Sequence, residues 1–139
     1  MNEKDMTTLF GGYIKKNPPK ESEAYELKFT SGKSLPFKDV KIHQIKALLE
    51  VEKGGLYHRI TDQPWIKDRP YSYTLKKPFD CFCMNNAKGF VVIWFYKPRK
   101  PKKFLKIRIK DFLMLQELEN RKSLTEEKAL SVAKVLNIK

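Results

Sequence analysis

The strongest constraint on the fold is an unbroken apolar segment over residues 90–96, which reads FVVIWFY. Its β-branched and aromatic residues are typical of a β-strand. Because polar residues do not alternate with apolar ones, both faces of this strand are expected to be buried. A strand of this kind needs a covering layer on each side. The segment therefore predicts an α/β fold in which a mixed central β-sheet is flanked by helices.

The remaining elements follow from hydrophobic periodicity and from glycine and proline positions. We predict helices over 2–16, 37–53, 111–119 and 123–136, and strands over 24–30, 56–61, 79–84, 90–96 and 104–109. The strands over 79–84 and 90–96 are expected to form a hairpin. The chain predicts one domain over 1–139, with a C-terminal helical extension at about 111–139.

The charge balance indicates a polyanionic partner. The chain carries 29 Lys and Arg against 16 Asp and Glu, a net charge of +13. DNA, RNA and anionic lipid all fit such an excess, and nucleic acid is favoured because aromatic residues accompany the charge. No run of 18 apolar residues is present, and the first 16 residues lack a signal-peptide core. A cytoplasmic protein without a membrane segment is expected.

Basic residues are concentrated after the apolar strand. Residues 97–103 read KPRKPKK, with five positive charges in seven positions. We expect an extended loop that contacts backbone phosphates. The predicted nucleic-acid-binding residues are Lys33, Lys38, Lys97, Arg99, Lys100, Lys102 and Lys103, and the positive face is expected to continue along Lys106, Arg108 and Lys110. Aromatic residues Trp65, Tyr71 and Tyr73 could stack on unpaired bases or pack on the core as a lid.

The chemistry-bearing pair is Glu26 and Lys28. They are two positions apart on a predicted strand, so their side chains point to the same face. A carboxylate is a hard oxygen ligand for Mg²⁺. A neighbouring ammonium can stabilise negative charge on a phosphate or position an attacking water. By itself the pair is a weak signal, because Glu-x-Lys in a lysine-rich protein is usually a solvated strand face.

The surrounding sequence makes this pair more specific. ELKFT over 26–30 is followed by KSLPFK over 33–38 and by HQI over 43–45 on the next predicted helix. This succession resembles the Holliday-junction resolvases of the PD-(D/E)XK nuclease superfamily, especially the RecU type. In these proteins a Glu-x-Lys strand leads into a Ser-Phe-Pro-Leu-Lys loop and a His-Gln-Ile helix. The resemblance covers about residues 25–56, roughly a quarter of the chain.

The resemblance implies a role for each matching residue and a restriction-endonuclease-like fold. Glu26 would be a metal ligand, Lys28 the catalytic lysine and Gln44 a supporting residue at the site. Glu3, on the first helix, could match an additional acid found in some archaeal-type resolvases. The implied cofactor is Mg²⁺ or Mn²⁺.

One feature departs from the family pattern. The superfamily places an aspartate on the strand before Glu-x-Lys, and residues 17–24 are too short for that hairpin and contain no Asp. A Pro-x-Asp sequence occurs later, ending at Asp80. We therefore predict a rearranged motif order, with Asp80 lying beside Glu26 as the second metal ligand. In a competing alignment Lys97 replaces Lys28, but Phe95 then stands where the acid should be.

Three functions are compatible with these features. The leading hypothesis is a metal-dependent, structure-specific DNA endonuclease, a Holliday-junction resolvase that acts as a homodimer on branched or double-stranded DNA. A phage or mobile-element origin would fit it. The second is a non-catalytic, basic nucleic-acid-binding module of the same fold. The third is a basic protein-interaction or ribosome-associated protein, a hypothesis that only the positive charge supports.

Overall fold

The computed structural model describes residues 1–54, 56–59, 81–84, 87–118 and 121–139, with the backbone alone described at 56–59 and 81–84. The helices are α1 (Glu3–Lys16), α2 (Ile42–Lys53), α3 (Ile109–Leu118) and α4 (Glu126–Leu130), with a 3-10 turn at Phe37–Asp39. The strands are β1 (Glu23–Thr30), β2 (Ser34–Pro36), β3 (Leu56–Arg59), β4 (Cys81–Met84), β5 (Lys88–Phe95), β6 (Lys102–Arg108), β7 (Ser123–Thr125) and β8 (Lys134–Ile138).

The central sheet is mixed, as expected. Its described strands lie in the order β1-β5-β6-β8. Strand β1 pairs with β5 in parallel, whereas β5 with β6 and β6 with β8 are antiparallel. Parallel neighbours need a crossover connection. Helix α2 lies within that crossover and packs against both β1 and β5.

The apolar strand is buried as its sequence predicts. Every residue from Gly89 to Phe95 is buried, and Val91, Val92 and Ile93 are fully inaccessible to solvent. Alternate residues of β5 belong to two separate clusters, one on each face of the sheet. Both faces are therefore covered, which confirms an α/β protein with helices flanking a mixed sheet.

Helix α1 covers one face. The helix begins at the N-cap Asn2, whose side-chain oxygen accepts a hydrogen bond from the Asp5 N–H, while the Asn2 N–H donates one to the Asp5 carboxylate. Its buried residues Met6 and Phe10 pack in a cluster with aromatic and aliphatic side chains of the sheet. The sheet residues of this cluster are Tyr25, Leu27, Phe29, Phe90, Val92, Trp94, Tyr96, Phe104, Leu136 and Ile138.

Helices α2, α3 and α4 cover the opposite face together with the 3-10 turn. This cluster contains Val91, Ile93 and Phe95 of β5. Its other buried members are Leu35, Phe37, Val40, Leu48, Leu105, Ile107, Ile109, Phe112, Leu115, Leu124 and Ala129. Because side chains alternate along a strand, the even-numbered residues of β1, which include Glu26 and Lys28, point to this face.

The predicted hairpin between residues 79–84 and 90–96 is wrong. Strand β4 pairs with β3 in an antiparallel two-stranded ribbon. Strand β5 uses its two edges for β1 and β6. A strand has only two hydrogen-bonding edges, so β5 has none left for β4.

The C-terminal part of the chain is also less helical than predicted. Helix α3 lies where a helix was expected, but residues 123–125 form strand β7, which pairs with β2. Helix α4 is only five residues long. Residues 134–138 then form β8, which pairs with β6 and contributes the buried Leu136 to the core. The expected helical extension at about 111–139 is therefore wrong beyond α4, because the last segment completes the sheet.

The structure shows no helix in the described part of the chain that is long and apolar enough to cross a membrane.

Candidate active site and nucleic-acid interface

Glu26 and Lys28 lie side by side on β1, on the face that α2 covers. Lys28 Nζ is 3.2 Å from Glu26 Oε1. The Lys28 side chain is 13% exposed and that of Glu26 is 24% exposed, so solvent reaches both groups but screens their interaction only in part. The period of two along a strand places them together, as the sequence predicts.

Gln44 joins this pair from the first turn of α2. Its Nε2 donates a hydrogen bond of 2.9 Å to Glu26 Oε1. Its Oε1 accepts a hydrogen bond of 2.8 Å from the main-chain N–H of Lys41, which precedes the helix. The second bond orients the amide so that its NH₂ group points towards Glu26. The helix end therefore holds one carboxylate oxygen in place.

No described residue forms a hydrogen bond or ion pair with the second carboxylate oxygen of Glu26. In the described ranges, Glu26 Oε1 contacts Lys28 and Gln44, whereas no hydrogen bond engages Oε2. A carboxylate oxygen next to a fixed ammonium can bind a hard cation or accept a proton from water. Lys28 can stabilise negative charge that develops on a phosphate close by.

The described residues do not by themselves complete a metal site. Mg²⁺ is usually held by one or two carboxylates together with waters and substrate phosphates. Over the described part of the chain, no group of three or more His, Cys, Asp or Glu side chains is suitably placed for a metal ion. If a metal site exists here, Glu26 would be one ligand of it, and a further carboxylate would have to come from outside these ranges.

The predicted partner, Asp80, lies outside the described residues, as do Trp65, Tyr71 and Tyr73. Strand β4 begins immediately after Asp80 and pairs with β3. The hairpin through which Asp80 was expected to approach β1 is therefore wrong, as stated above. The placement of Asp80 beside Glu26 stays a prediction.

The structure does not bring Glu3 to this site. Glu3 is exposed in the first turn of α1. That helix packs on the face of the sheet opposite to the one where Glu26 and Gln44 meet. The predicted additional acid is thus separated from the pair by the sheet itself.

Several of the predicted basic residues lie at one end of the sheet. Strands β1 and β5 are parallel, so the turns that follow them leave from the same end. Lys33 lies in the turn after β1, and Lys97, Arg99 and Lys100 lie in the turn after β5. All four are exposed. They form a basic rim, by which we mean Lys33, Lys97, Arg99 and Lys100, beyond the carboxyl ends of these two strands.

Residues 97–100 form a turn, whereas Lys102 and Lys103 are extended. The N–H of Lys100 donates to the carbonyl of Lys97, and Arg99 has a positive φ of 60°. Lys97 Nζ also lies 2.6 Å from Glu126 Oε2, which ties the turn to α4. Lys102 and Lys103 belong to β6, where they pair with Ile138 and Asn137.

This geometry also bears on the competing alignment. Lys97 forms its ion pair with Glu126, and Phe95 is buried in the core. Lys28, by contrast, lies next to Glu26. The structure therefore favours Lys28 as the lysine of the site.

The cations that were expected to continue the positive face along β6 each lie close to a carboxylate of the same chain. Lys106 Nζ lies 2.6 Å from Glu23 Oε2 and 4.2 Å from the centre of the Phe90 ring, and its side chain is only 13% exposed. Arg108 donates a hydrogen bond of 3.0 Å to Glu52 Oε1, and Lys110 lies 3.8 Å from Glu52 Oε2. Lys106 is therefore largely withdrawn from solvent, whereas the side chains of Arg108 and Lys110 remain 42% and 71% exposed, so a phosphate contact by these two residues stays a prediction.

Glu52 is a residue whose role the sequence analysis did not find. Its side chain is 7% exposed, and its Oε1 accepts hydrogen bonds from Arg108 and from the main-chain N–H of Gly89. Burial by itself would raise the pKa of Glu52, but the hydrogen bonds from Arg108 and Gly89 and the charges of Arg108 and Lys110 outweigh it and hold the pKa below its usual value. The sequence feature that could have indicated a special role for Glu52 is an acid in the last turn of a helix, where the helix dipole disfavours negative charge.

Comparison with known proteins gives no relative for this chain. No family model, no curated protein and no solved structure matches it.

Proposed function

We propose that this protein is a metal-dependent, structure-specific DNA endonuclease with a restriction-endonuclease-like fold, acting as a Holliday-junction resolvase. The observation that carries the proposal is the convergence of Glu26, Lys28 and Gln44 from two elements. Lys28 Nζ and Gln44 Nε2 lie 3.2 Å and 2.9 Å from the same carboxylate oxygen. The resemblance to resolvases names the same three residues from the sequence.

Each of the three side chains has a distinct role in this proposal. Glu26 binds the cation through its open carboxylate oxygen. Lys28 stabilises the charge on the scissile phosphate or positions the attacking water. Gln44 does not contact the substrate in this scheme; it is a positioning residue that fixes the rotamer of Glu26. A bound Mg²⁺ or Mn²⁺ would supply Lewis-acid stabilisation of the phosphoryl oxygens and a more acidic bound water.

The second carboxylate is assigned to Asp80, which follows from the rearranged motif order. Phosphodiester hydrolysis needs charge neutralisation and a placed nucleophile, and a single carboxylate with waters gives a weaker metal site than two. Glu26 alone would therefore bind the cation weakly. With Asp80 beside it, the site would have the usual pair of hard ligands.

DNA is proposed to approach over the basic rim. Lys33 and the turn containing Arg99 and Lys100 leave the same end of the sheet, and Lys28 is nearer to that end of β1 than Glu26 is. Contacts to backbone phosphates position DNA without reading its sequence. Symmetrical cleavage of a junction requires two active sites, so the proposal includes a homodimer.

A second candidate, a non-catalytic nucleic-acid-binding module, is favoured by one observation. Within the described ranges Glu26 has no other carboxylate placed to share a metal with it. In that case the Glu26–Lys28 ion pair is structural, and the net charge of +13 accounts for binding.

The test is cleavage of labelled four-way junction, duplex and single-stranded DNA in Mg²⁺ or Mn²⁺. We expect junction cleavage by the wild-type protein and its loss in Glu26→Gln, Lys28→Met and Asp80→Asn. A matched control is Glu21→Gln, which removes an exposed carboxylate that pairs with Lys88. Binding measured in EDTA should be retained by all four variants, because phosphate contacts do not need the metal.

The outcomes separate the alternatives. If Glu26→Gln abolishes cleavage but Asp80→Asn does not, the rearranged motif order is wrong and another acid completes the site. If the wild-type protein binds DNA and cuts none of the three substrates with either metal, the binding-module function replaces the nuclease.

A further inference from the structure

We propose a separate phosphate-binding site for a nucleic-acid strand in a cleft at the end of the β2–β7 ladder, beside α3. This β2–β7 cleft has a volume of about 650 Å³. It is lined by Pro36, Phe37, Lys38, Gln116, Arg121, Lys122 and Ser123. The inference rests on the nucleic-acid partner of the proposed function but not on catalysis.

The backbone fixes the two walls of the cleft relative to each other. Pro36 pairs with Ser123 in the antiparallel ladder of β2 and β7. The N–H of Phe37 extends the ladder by donating a hydrogen bond of 3.0 Å to the carbonyl of Lys122. Lys38 directly follows the bonded Phe37 on one wall. Arg121 directly precedes the bonded Lys122 on the other wall. The backbone carbonyl of Lys122 is thus paired, and Lys38 and Arg121 each adjoin a paired position.

The charges of the cleft are not neutralised within the described structure. Lys38, Arg121 and Lys122 are exposed, and none of the described residues that line the cleft is a carboxylate. None of the three takes part in a salt bridge with another described residue. Lys97, Lys106 and Arg108, in contrast, each have a carboxylate partner. Like charges gathered at one cleft repel one another, and a polyanion relieves that repulsion.

The remaining lining residues suit a phosphate rather than an apolar ligand. The Gln116 amide and the Ser123 hydroxyl can each donate a hydrogen bond to a phosphate oxygen. Arg121 can bind two oxygens of one phosphate at once through its guanidinium. The buried Phe37 and the partly buried Pro36 supply a rigid floor between these groups.

The cleft lies within reach of a strand that occupies the Glu26 site. Lys38 precedes Gln44 by six positions, so the two main-chain positions are at most about 20 Å apart. Successive phosphates of one strand of a duplex are spaced about 3.4 Å along the helix axis. One strand can therefore contact both places within about six phosphates. The cleft would act as a second anchor that orients the strand relative to Glu26.

The experiment compares two triple variants that remove the same charge. The cleft variant is Lys38→Gln with Arg121→Gln and Lys122→Gln. The control variant is Lys4→Gln with Lys134→Gln and Lys139→Gln, three exposed lysines that do not line the cleft. Binding of fluorescently labelled duplex DNA is measured by anisotropy in EDTA, at KCl concentrations from 50 to 200 mM. Circular dichroism and thermal unfolding establish that both variants are folded.

We expect the affinity of the cleft variant to depend less steeply on salt. The magnitude of the slope of log affinity against log salt should decrease by up to about 2.7, since each phosphate contact contributes about 0.9. Across this salt range the wild-type affinity should then fall up to about 40-fold more than that of the cleft variant. The control variant should keep the wild-type slope within about 0.9. The single substitution Arg121→Gln, which is less disruptive to folding, should decrease the magnitude of the slope by about 1.

Equal slopes for the cleft and control variants would overturn the inference, because the positive charge would then act diffusely over the surface. The result is independent of catalysis. If the slope changes as expected but the wild-type protein cuts no DNA, the nuclease function fails and the cleft stands. If the wild-type protein cuts junctions and the cleft variant binds like the control, the cleft fails and the nuclease function stands.

Discussion

Gln44 Nε2 donates a hydrogen bond of 2.9 Å to Glu26 Oε1, although 18 positions separate the two residues in the sequence. The same amide accepts a hydrogen bond from the N–H of Lys41 through its oxygen. Gln44 therefore caps α2 and orients the candidate metal ligand at once. The cap and the orientation of Glu26 therefore depend on the same side chain.

Replacing Gln44 should separate its capping role from its effect on Glu26. Gln44→Glu keeps an acceptor for the Lys41 N–H but places a second carboxylate against Glu26. Gln44→Ala removes both bonds and should lower the free energy of unfolding by about 1 kcal/mol, the usual cost of a lost helix cap. In urea titrations at pH 7 the Glu variant should recover part of that stability.

DNA cleavage supplies the contrasting measurement for Gln44. Both variants should lose activity if the orientation of Glu26 matters, whereas only the Ala variant should lose the cap. Full activity of Gln44→Glu would contradict a positioning role for the amide.

Glu52 should make the stability of the protein fall in acid. Its folded-state pKa lies below its unfolded value, so the stabilisation is present above the unfolded pKa of about 4.3 and is lost as the pH falls through the folded pKa. Glu52→Gln should cost about 1.5–3 kcal/mol at pH 7, the range for a hydrogen bond to a charged group. Unfolding curves between pH 3 and 7 should show a shallower acid loss for this variant.

The control for Glu52 is Glu21→Gln, which breaks an exposed ion pair with Lys88. Such pairs contribute about 0–1 kcal/mol. Similar costs for the two substitutions would show that the buried contact to Arg108 adds nothing beyond a surface pair.

Gly89→Ala should destabilise the protein because α2 packs directly over this position. A Cβ there would lie 2.9 Å from the carbonyl oxygen of Leu48 and 3.0 Å from its Cβ, so the helix would have to move. We expect a loss of about 1–3 kcal/mol, as for other overpacked cores.

Gly12→Ala is the matched control, since a Cβ at Gly12 meets nothing within 4 Å. It lies inside α1 and should stabilise the protein by about 0.5–1 kcal/mol. Thermal unfolding of both variants tests the difference, and a stabilising Gly89→Ala would refute the close approach of α2.

Glu23, Tyr25 and Lys106 should behave as one coupled unit. Tyr25 and Lys106 both bind the same carboxylate oxygen of Glu23. Glu23→Gln or Lys106→Met alone leaves a charge with little solvent exposure and without the oppositely charged partner, whereas the double variant removes both charges. We therefore expect the double variant to be more stable than the sum of the single losses indicates. A double-mutant cycle in urea measures the coupling, and strictly additive losses would rule it out.

Tyr25 offers a spectroscopic measurement of the same unit. Burial, and then its hydrogen bond to the Glu23 carboxylate, raise the pKa of the Tyr25 hydroxyl well above its usual value. One of the six tyrosines should therefore remain protonated in an ultraviolet titration of the folded protein after ordinary tyrosines have ionised. In the Glu23→Gln variant its ionisation should move to lower pH. An unchanged titration in that variant would contradict the contact.

Local patterns in the sequence predicted several elements correctly. The apolar run at 90–96 corresponds to β5, the alternating run at 24–30 to β1, and the helical periodicity near the N-terminus to α1. Each of these signals depends on a period of 2 or 3.6 residues or on continuous burial, which neighbouring residues alone determine. The same local rule placed Glu26 and Lys28 on one face of a strand.

The errors arose where a segment had to choose between distant partners. Residues 79–84 and 90–96 looked like the arms of a hairpin because a short turn separates them. The parallel β1 and the antiparallel β6 occupy both edges of β5 instead, and β4 pairs with β3. Residues 134–138 have a pattern too short to distinguish helix from strand. These residues form a strand because they pair with the edge of β6 and bury Leu136 in the core.

The sequence by itself determined the class of the fold, the positive charge and the Glu26–Lys28 pair, because composition and periodicity are local properties. Only the tertiary structure decided that Gln44 reaches Glu26, that Lys106 and Arg108 pair with Glu23 and Glu52, and that Glu3 lies on the opposite side of the sheet. These outcomes depend on which strand edges and faces are already occupied. Hydrogen bonds and ion pairs form wherever the crossover and the sheet order bring their groups within a few ångströms, whatever their separation along the chain.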